Sequence, residues 1–393
     1  MKEFTPDEIK YLAAHEDQDP GSLMLQAGRY PHLPVAQLVQ HIGARQKIKS
    51  KLPTWYQHPQ VRYPVVLSVE QSSSEKTAVF KAGLLAGRLL LDLTGGFGID
   101  SFFFADKFDT VIYVERQPEL VEIAATNAQV LGKKNIQFEQ GEAAAFLESF
   151  TGSADWIYLD PARRDQANRK MHDLSDCEPN VLQLLPALLA KGSNILVKTS
   201  PMLDINQAIG QLQKVQKVYV VALENECKEV LYHLSASENV SPVIEAINLL
   251  PEDRIQTFTF DYAAEDNTQV NYTLPKSYIY EPNSAILKAG GFKFLADYYD
   301  LNKLHRNSHL YTSDNIVKDF PGRTFKLKTI CRYQKKELAA HLPTLKANIT
   351  VRNFPDTVAE IRKKTGIKEG GDIYLFATTD LHQKPVILVC EKA

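Results

Sequence analysis

The chain has 393 residues, 44% hydrophobic and 23% charged, more than one core of ordinary size holds, so two or three globular domains are expected. Four scattered cysteines without a CxxC pair argue against a zinc ribbon and against a disulfide-stapled secreted fold. A net charge of −2 does not by itself point to nucleic acid, but residues 321–393 carry 14 Lys and Arg against 7 Asp and Glu, a surplus of 14 − 7 = +7 that leaves the remainder at −9.

In chain order, residues 1–75 read as an N-terminal helical subdomain. Val35, Leu38, Val39 and Ile42 recur at helical spacing, followed by Arg45, Lys47, Lys49 and Lys51. The start, Met1-Lys2-Glu3-Phe4, lacks the apolar stretch of a secretory signal. The most apolar run, Val181 to Ala190, is broken by Gln183 and Pro186 and is shorter than the roughly 20 residues of a membrane span. A cytoplasmic protein is the expectation.

Over residues 76–235 strands and helices alternate. Leu89–Leu93, Val111–Glu115, Asn135–Glu139, Asp155–Leu159, Asn194–Lys198, Val215–Leu223 and Glu229–Leu234 read as strands. Pro118 opens a helix that Gly132 ends. Alternation of this kind predicts an α/β fold, a mostly parallel buried sheet covered by helices. Residues 236–320 read as a mixed connecting region over Asn239–Leu250, Thr257–Tyr262 and Tyr272–Leu274, then one helical stretch, Ser284–Tyr299. Residues 321–393 predict a small, basic α+β domain of βαβαββ pattern, with a capping box at Thr357–Glu360 and a stop at Gly366.

The chemistry gathers at the carboxyl ends of the strands. Leu91-Asp92-Leu93-Thr94-Gly95-Gly96-Phe97-Gly98 leads a buried strand into a glycine loop, where the backbone can approach a ligand closely. Such a loop would also serve a nicotinamide dinucleotide, but Ser101 stands where the third glycine of that fingerprint belongs. Glu115 ends the second strand, where a carboxylate can accept both ribose hydroxyls. Glu142 follows the third, placed to accept from an adenine amino group, and Asp160-Pro161-Ala162-Arg163 ends the fourth.

In this order and placement, residues 76–235 resemble the class I S-adenosylmethionine-dependent methyltransferases. The resemblance implies S-adenosylmethionine as cofactor, held by Asp92, Thr94, Gly95, Gly96, Gly98, Glu115, Glu142 and Asp160. Leu67–Ala78 is similar to the segment that closes over the cofactor in RNA guanine methyltransferases. The whole chain resembles a bacterial group whose methyltransferase domain carries a ferredoxin-like insert and a C-terminal THUMP-like domain, which implies RNA, tRNA or rRNA, as partner.

Related amine methyltransferases use Asn/Asp-Pro-Pro-aromatic, in which the first side chain and a backbone carbonyl accept the amine hydrogens. Here Asp160 and the carbonyl of Pro161 or Ala162 supply those groups and Arg163 replaces the aromatic, so Asp160, Pro161 and Arg163 are the catalytic candidates. A guanidinium can stack on a base or clamp a phosphate, and Arg163, Arg164 and Lys198 are the substrate-binding candidates, with Arg169, Lys170 and His172 nearby. Uracil-C5 methyltransferases share an Asp-Pro-Pro-Arg motif but need a cysteine on the next strand, where this chain has Lys198-Thr199-Ser200-Pro201. Base-nitrogen methylation is therefore the expected reaction. Cys177 and Cys227, the latter beside Lys228, have no assigned role, and no histidine spacing suggests a metal. The competing readings keep the fold and change the acceptor to a small molecule or a protein, or make the chain a catalytically silent RNA-binding or assembly factor.

Overall fold

The computed structural model describes residues 4–64, 72–163, 173–236 and 241–393, with Arg163 described in its backbone alone. Two compact units make up the chain, Met1–Gln216 with Glu229–Val240, and Lys217–Lys228 with Ser241–Ala393.

The first unit opens with helices Pro6–His15, Pro20–Leu25, Val35–Lys51 and Pro53–Tyr56. Thr5 and Glu8 close a capping box on the first helix, and Asp19 caps the second by accepting from the Ser22 amide. Val35, Leu38, Val39 and Ile42 are buried together, the face their spacing predicts. One turn on, Ile48, Leu52 and Trp55 enter a different apolar cluster, shared with Phe97, Ile99 and Phe102 of the glycine loop and its helix. Two polar fastenings hold this junction. Thr54 donates to Glu75 from its amide and its hydroxyl, and Asn127 exchanges two hydrogen bonds with the backbone of Arg62.

Helix Glu75–Leu84 precedes the strands, capped by the Ser74 hydroxyl, which accepts from the Thr77 amide. These strands are β1 (Gly87–Asp92), β2 (Phe108–Glu115), β3 (Ile136–Gln140), β4 (Ala154–Leu159), β5 (Ala162–Arg163), β6 (Cys177–Glu178) and β7 (Gly192–Thr199). The chain passes into the second unit within β8 (Val215–Leu223) and returns within β9 (Glu226–Ser235). In the first unit the order is β3-β2-β1-β4-β7-β9, parallel throughout except at β9. Neighbouring residues such as Leu90 and Leu91 are both fully buried, as a parallel sheet covered on both faces requires. A separate two-stranded ladder pairs β5 with β6, setting Arg163 opposite Cys177.

In the second unit β8 pairs in parallel with β10 (Val243–Leu249), which pairs antiparallel with β11 (Ile255–Phe260). The boundary predicted at 235 thus falls between two strands that share a ladder. A further sheet follows, with β12 (Tyr278–Pro282), β13 (Asn302–Lys303), β14 (Tyr311–Ser313), β15 (Gly322–Cys331), β16 (Asn348–Arg352), β17 (Ile373–Thr379) and β18 (Pro385–Lys392) in the order β13-β14-β12-β15-β18-β17-β16. With helices Lys335–Ala340 and Val358–Thr365, residues 322–392 form the expected βαβαββ pattern.

The helix expected over Ser284–Tyr299 is two helices, Ser284–Ala289 and Phe292–Tyr298. Gly290 turns left-handed at φ +89°, and a side chain on Gly291 would lie 2.7 Å from the Phe260 ring, so the chain breaks there to let the ring in. Val181–Lys191 is an ordinary helix containing Pro186. No helix among the described residues is long and apolar enough to cross a membrane.

Candidate cofactor and methyl-transfer site

β1 delivers Asp92 to its carboxyl end, almost wholly buried. One carboxylate oxygen accepts from the Thr94 amide at 3.1 Å and the other from the Ser101 hydroxyl at 2.5 Å. Burial pushes the Asp92 pKa up to about 7 against both hydrogen bonds, and the charges of Asp100 and Asp160 push the same way. Ser101, the residue that disfavours a dinucleotide fingerprint, therefore holds the acid at the base of the loop.

The glycine loop is moulded on Tyr113 of β2. A methyl group on Gly95 would sit 2.1 Å from that ring, and the Tyr113 hydroxyl donates to the Gly96 carbonyl at 2.6 Å. Gly96 and Gly98 both take positive φ, +53° and +87°. At the end of β2 the Glu115 carboxylate accepts from the Gly96 amide at 3.0 Å and the Gln117 amide at 2.9 Å, which fixes its position beside the loop. Glu142 lies exposed beyond β3, preceding helix Ala143–Ser149.

Thr94 joins this loop to the next strand, its hydroxyl accepting from the Asp160 amide at 2.6 Å. Pro161 is buried and Ala162 exposed. Lys198, near the end of β7, does not stand alone at the surface: its ammonium is paired with Asp160, the two side chains being 12% and 35% exposed. Burial works against the Lys198 charge, but Asp160, Glu229 and Asp100 outweigh it and hold the pKa above the ordinary lysine range.

Behind this pair lies a group the sequence reading does not name. Lys81, fully buried, donates to both oxygens of Glu229 at 2.9 and 3.0 Å and to the Ser73 hydroxyl at 3.0 Å, and lies 3.3 Å from Asp100. Asp100 accepts from Tyr158 at 2.7 Å and Ser73 at 3.0 Å. Burial pushes the Asp100 carboxyl upward, yet Lys81, Lys198 and these hydroxyls prevail and bring it below the usual carboxylate range. Glu229, under the same burial, stays above it despite both lysines.

The structure thus brings Asp92, Thr94, Gly95, Gly96, Gly98, Glu115, Asp160, Pro161 and Lys198 to one edge of the sheet. Arg164 and the segment Leu67–Gln71 lie outside the described residues, as do Arg169, Lys170, His172 and the side chain of Arg163. Thr199 is buried, its hydroxyl donating to the Val230 carbonyl at 3.4 Å.

Residues 86–248 match a family described as a methyltransferase domain, 278–321 a ferredoxin-like domain and 322–392 a THUMP domain-like family. A crystal structure from Porphyromonas gingivalis W83, described as a methyltransferase, is 35% identical over the full length of both chains, with a TM-score of 0.87. The chain belongs to the S-adenosylmethionine-dependent methyltransferases. Curated relatives match this methyltransferase over a shorter stretch. An uncharacterized RNA methyltransferase of Thermotoga maritima is 28% identical over 124 residues, 30% of this chain and 28% of its own length. A 23S rRNA (uracil(1939)-C(5))-methyltransferase of Shewanella sp. strain ANA-3 is 32% identical over 142 residues, 35% of this chain and 31% of its own. The methyltransferase therefore spans about a third of the length of the curated relatives it matches.

Its cofactor is S-adenosylmethionine, and the residues present fit that molecule. A side chain on Gly96, whose φ is positive, would lie 3.7 Å from the Thr94 carbonyl on the loop's face, and a fixed carboxylate, Glu115, stands beside it. Ser101 entered the sequence reading only as a missing glycine, although a hydroxyl on the turn after the loop was a legible signal for a partner of Asp92. Lys81 had a weaker one, a lysine among Thr77, Ala78 and Ala82 on the buried face of its helix.

Proposed function

We propose that this methyltransferase modifies a base nitrogen of RNA, tRNA or rRNA. The observation that carries the reading is the pairing of Asp160 with Lys198, at a site where β7 ends in Thr199, followed by Ser200, and has no cysteine. The lysine holds an anionic acceptor at the sheet edge, suited to an exocyclic amine or ring N–H. Covalent activation of a pyrimidine carbon would need a nucleophile instead.

S-adenosylmethionine, when bound, supplies an electrophilic methyl group on a sulfonium. The residues proposed to hold it are Asp92, Thr94, Gly95, Gly96, Gly98, Glu115, Glu142 and Asp160. Glu115 accepts the ribose hydroxyls and Glu142 the adenine amino group, while the glycines let the backbone close on the chain between them. On the acceptor side, the Asp160 carboxylate and the Pro161 carbonyl accept the amine hydrogens and orient its lone pair along the line of displacement. Lys198 restrains Asp160, and Arg163 and Arg164 meet the base or a phosphate of the RNA. We also propose the four-part division at 1–75, 76–235, 236–320 and 321–393, the last part being the RNA-holding one. Its basic surplus and its match to a THUMP domain-like family support that role.

Incubation with radiolabelled cofactor and total RNA, followed by mass spectrometry of nucleosides, tests the reading. It expects an N-methylated base in RNA, and Asp160→Ala should lower the rate by about a hundredfold or more. Label found only in protein or small molecules sinks it. The names of the curated relatives favour a second reading, uracil-C5 methylation; Cys177, buried on β6 opposite Arg163, would be the cysteine to examine. A 5-methyluridine product abolished by Cys177→Ala would establish that alternative.

A further inference from the structure

Five charged side chains stand together behind the sheet edge, Lys81 and Lys198 against Asp100, Asp160 and Glu229, and the way they are shared decides where Lys198 points. Lys81 has three hydrogens and gives them to Ser73 and to both oxygens of Glu229. It gives Asp100 only its charge, at 3.3 Å, and one Asp100 oxygen is buried with no hydrogen bond among the described residues. Two buried carboxylates therefore draw on Lys198 from within, while Asp160, about a third exposed, draws on it from the edge. Water weakens the outer attraction more than the inner one.

We propose that Lys81 is a positioning residue for methyl transfer: by neutralising Glu229 and Asp100 it leaves Lys198 to hold Asp160 toward the acceptor. The proposal rests on the reading of Asp160 as the group that accepts the acceptor's hydrogens. Lys81 itself touches neither cofactor nor substrate in this scheme. It fastens helix Glu75–Leu84 to β9 and to the helix that follows the glycine loop.

The test uses the full chain and compares wild type with Lys81→Met, Lys81→Arg and Lys81→Met/Glu229→Gln. With Lys81→Met, Lys198 turns inward, so kcat should fall by about a hundredfold, as misplacement of a reacting group can cause, while affinity for S-adenosylhomocysteine by calorimetry is kept. Removing one inner carboxylate in the double variant should restore most of kcat, and arginine at 81 should retain it. A residue that merely stabilised the fold would lower the melting temperature and leave kcat per folded, cofactor-binding molecule unchanged. Where Lys81→Met does not fold, Lys81→Gln, which keeps a donor toward Glu229 but not the charge, serves with the same outcomes. A double variant as inactive as the single one overturns the proposal. So does a crystal structure of Lys81→Met with the Lys198–Asp160 pair intact. Failure of the wild type to label RNA would sink only the RNA reading, because the position of Lys198 in that crystal structure is independent of the acceptor.

Discussion

Gly95 and Asp92 show how little room the loop leaves at single positions. With the Tyr113 ring where a methyl group would go, Gly95→Ala must displace either the ring or the loop. It should cost at least tenfold in S-adenosylhomocysteine affinity measured by calorimetry, since about 1.4 kcal/mol suffices for that and overpacking typically costs 1–3 kcal/mol. Asp92 makes a pH prediction. Its folded pKa, about 7, lies above the ordinary carboxyl value, so the folded state binds the extra proton between roughly pH 4 and 7. Stability from this group is greatest at low pH and is lost as pH rises through 7. Asp92→Asn keeps an acceptor for the Thr94 amide and should flatten that fall in thermal melts taken from pH 5 to 8; an unchanged slope would show that Asp92 is ionised throughout. At this scale the sequence was informative wherever function is carried by neighbours along the chain. The acid, the glycines and Glu115 each close a strand whose apolar run is visible. Lys81 and Glu229 were not legible as partners, because 148 positions separate them and only the packed sheet brings them together.

Among the elements, the short helix Pro53–Tyr56 matters most for the site, although its four residues would not be helical alone. It is held by what it buries. Trp55 is 1% exposed and packs edge-on against Phe97 and Phe102 at 5.2 and 5.3 Å between ring centres. Trp55→Ala should lower stability by about 3–5 kcal/mol in urea titration. It should also weaken S-adenosylhomocysteine binding, because Phe97 belongs to the glycine loop; undiminished affinity would show that the loop needs no support from this side. Strand and helix positions in residues 76–235 and 321–393 followed from apolar periodicity and from caps such as Thr357–Glu360. Residues 236–320 did not read as clearly. Their last strands are short, three residues in β14 and two in β13, and the break at Gly290-Gly291 answers to the Phe260 ring, a tertiary neighbour that no local pattern announces.

For the whole molecule, the uneven charge bears on the RNA proposal. If the 14 Lys and Arg of residues 321–393 meet phosphates, RNA affinity should fall linearly with salt on a log–log scale. Neutralising Lys363 and Lys364, in the last turn of their helix, should reduce that slope in filter-binding titrations without touching S-adenosylhomocysteine affinity. A slope near zero would favour a small-molecule or protein acceptor. The α/β class and the α+β C-terminal pattern were legible from the sequence. The passage of the chain between its two compact units was not, because it falls within β8 and β9 rather than in a linker. This has a practical meaning for anyone who trims the protein. A fragment ended at residue 235 keeps β8 but discards β10, the strand that covers its edge over Lys217–Leu223. Val218, Val220, Val221 and Ala222, fully buried in the intact chain, would then lie along a bare β edge. Such fragments should elute as aggregates from a sizing column, and those extended past Phe260, which keep both β10 and β11, should not.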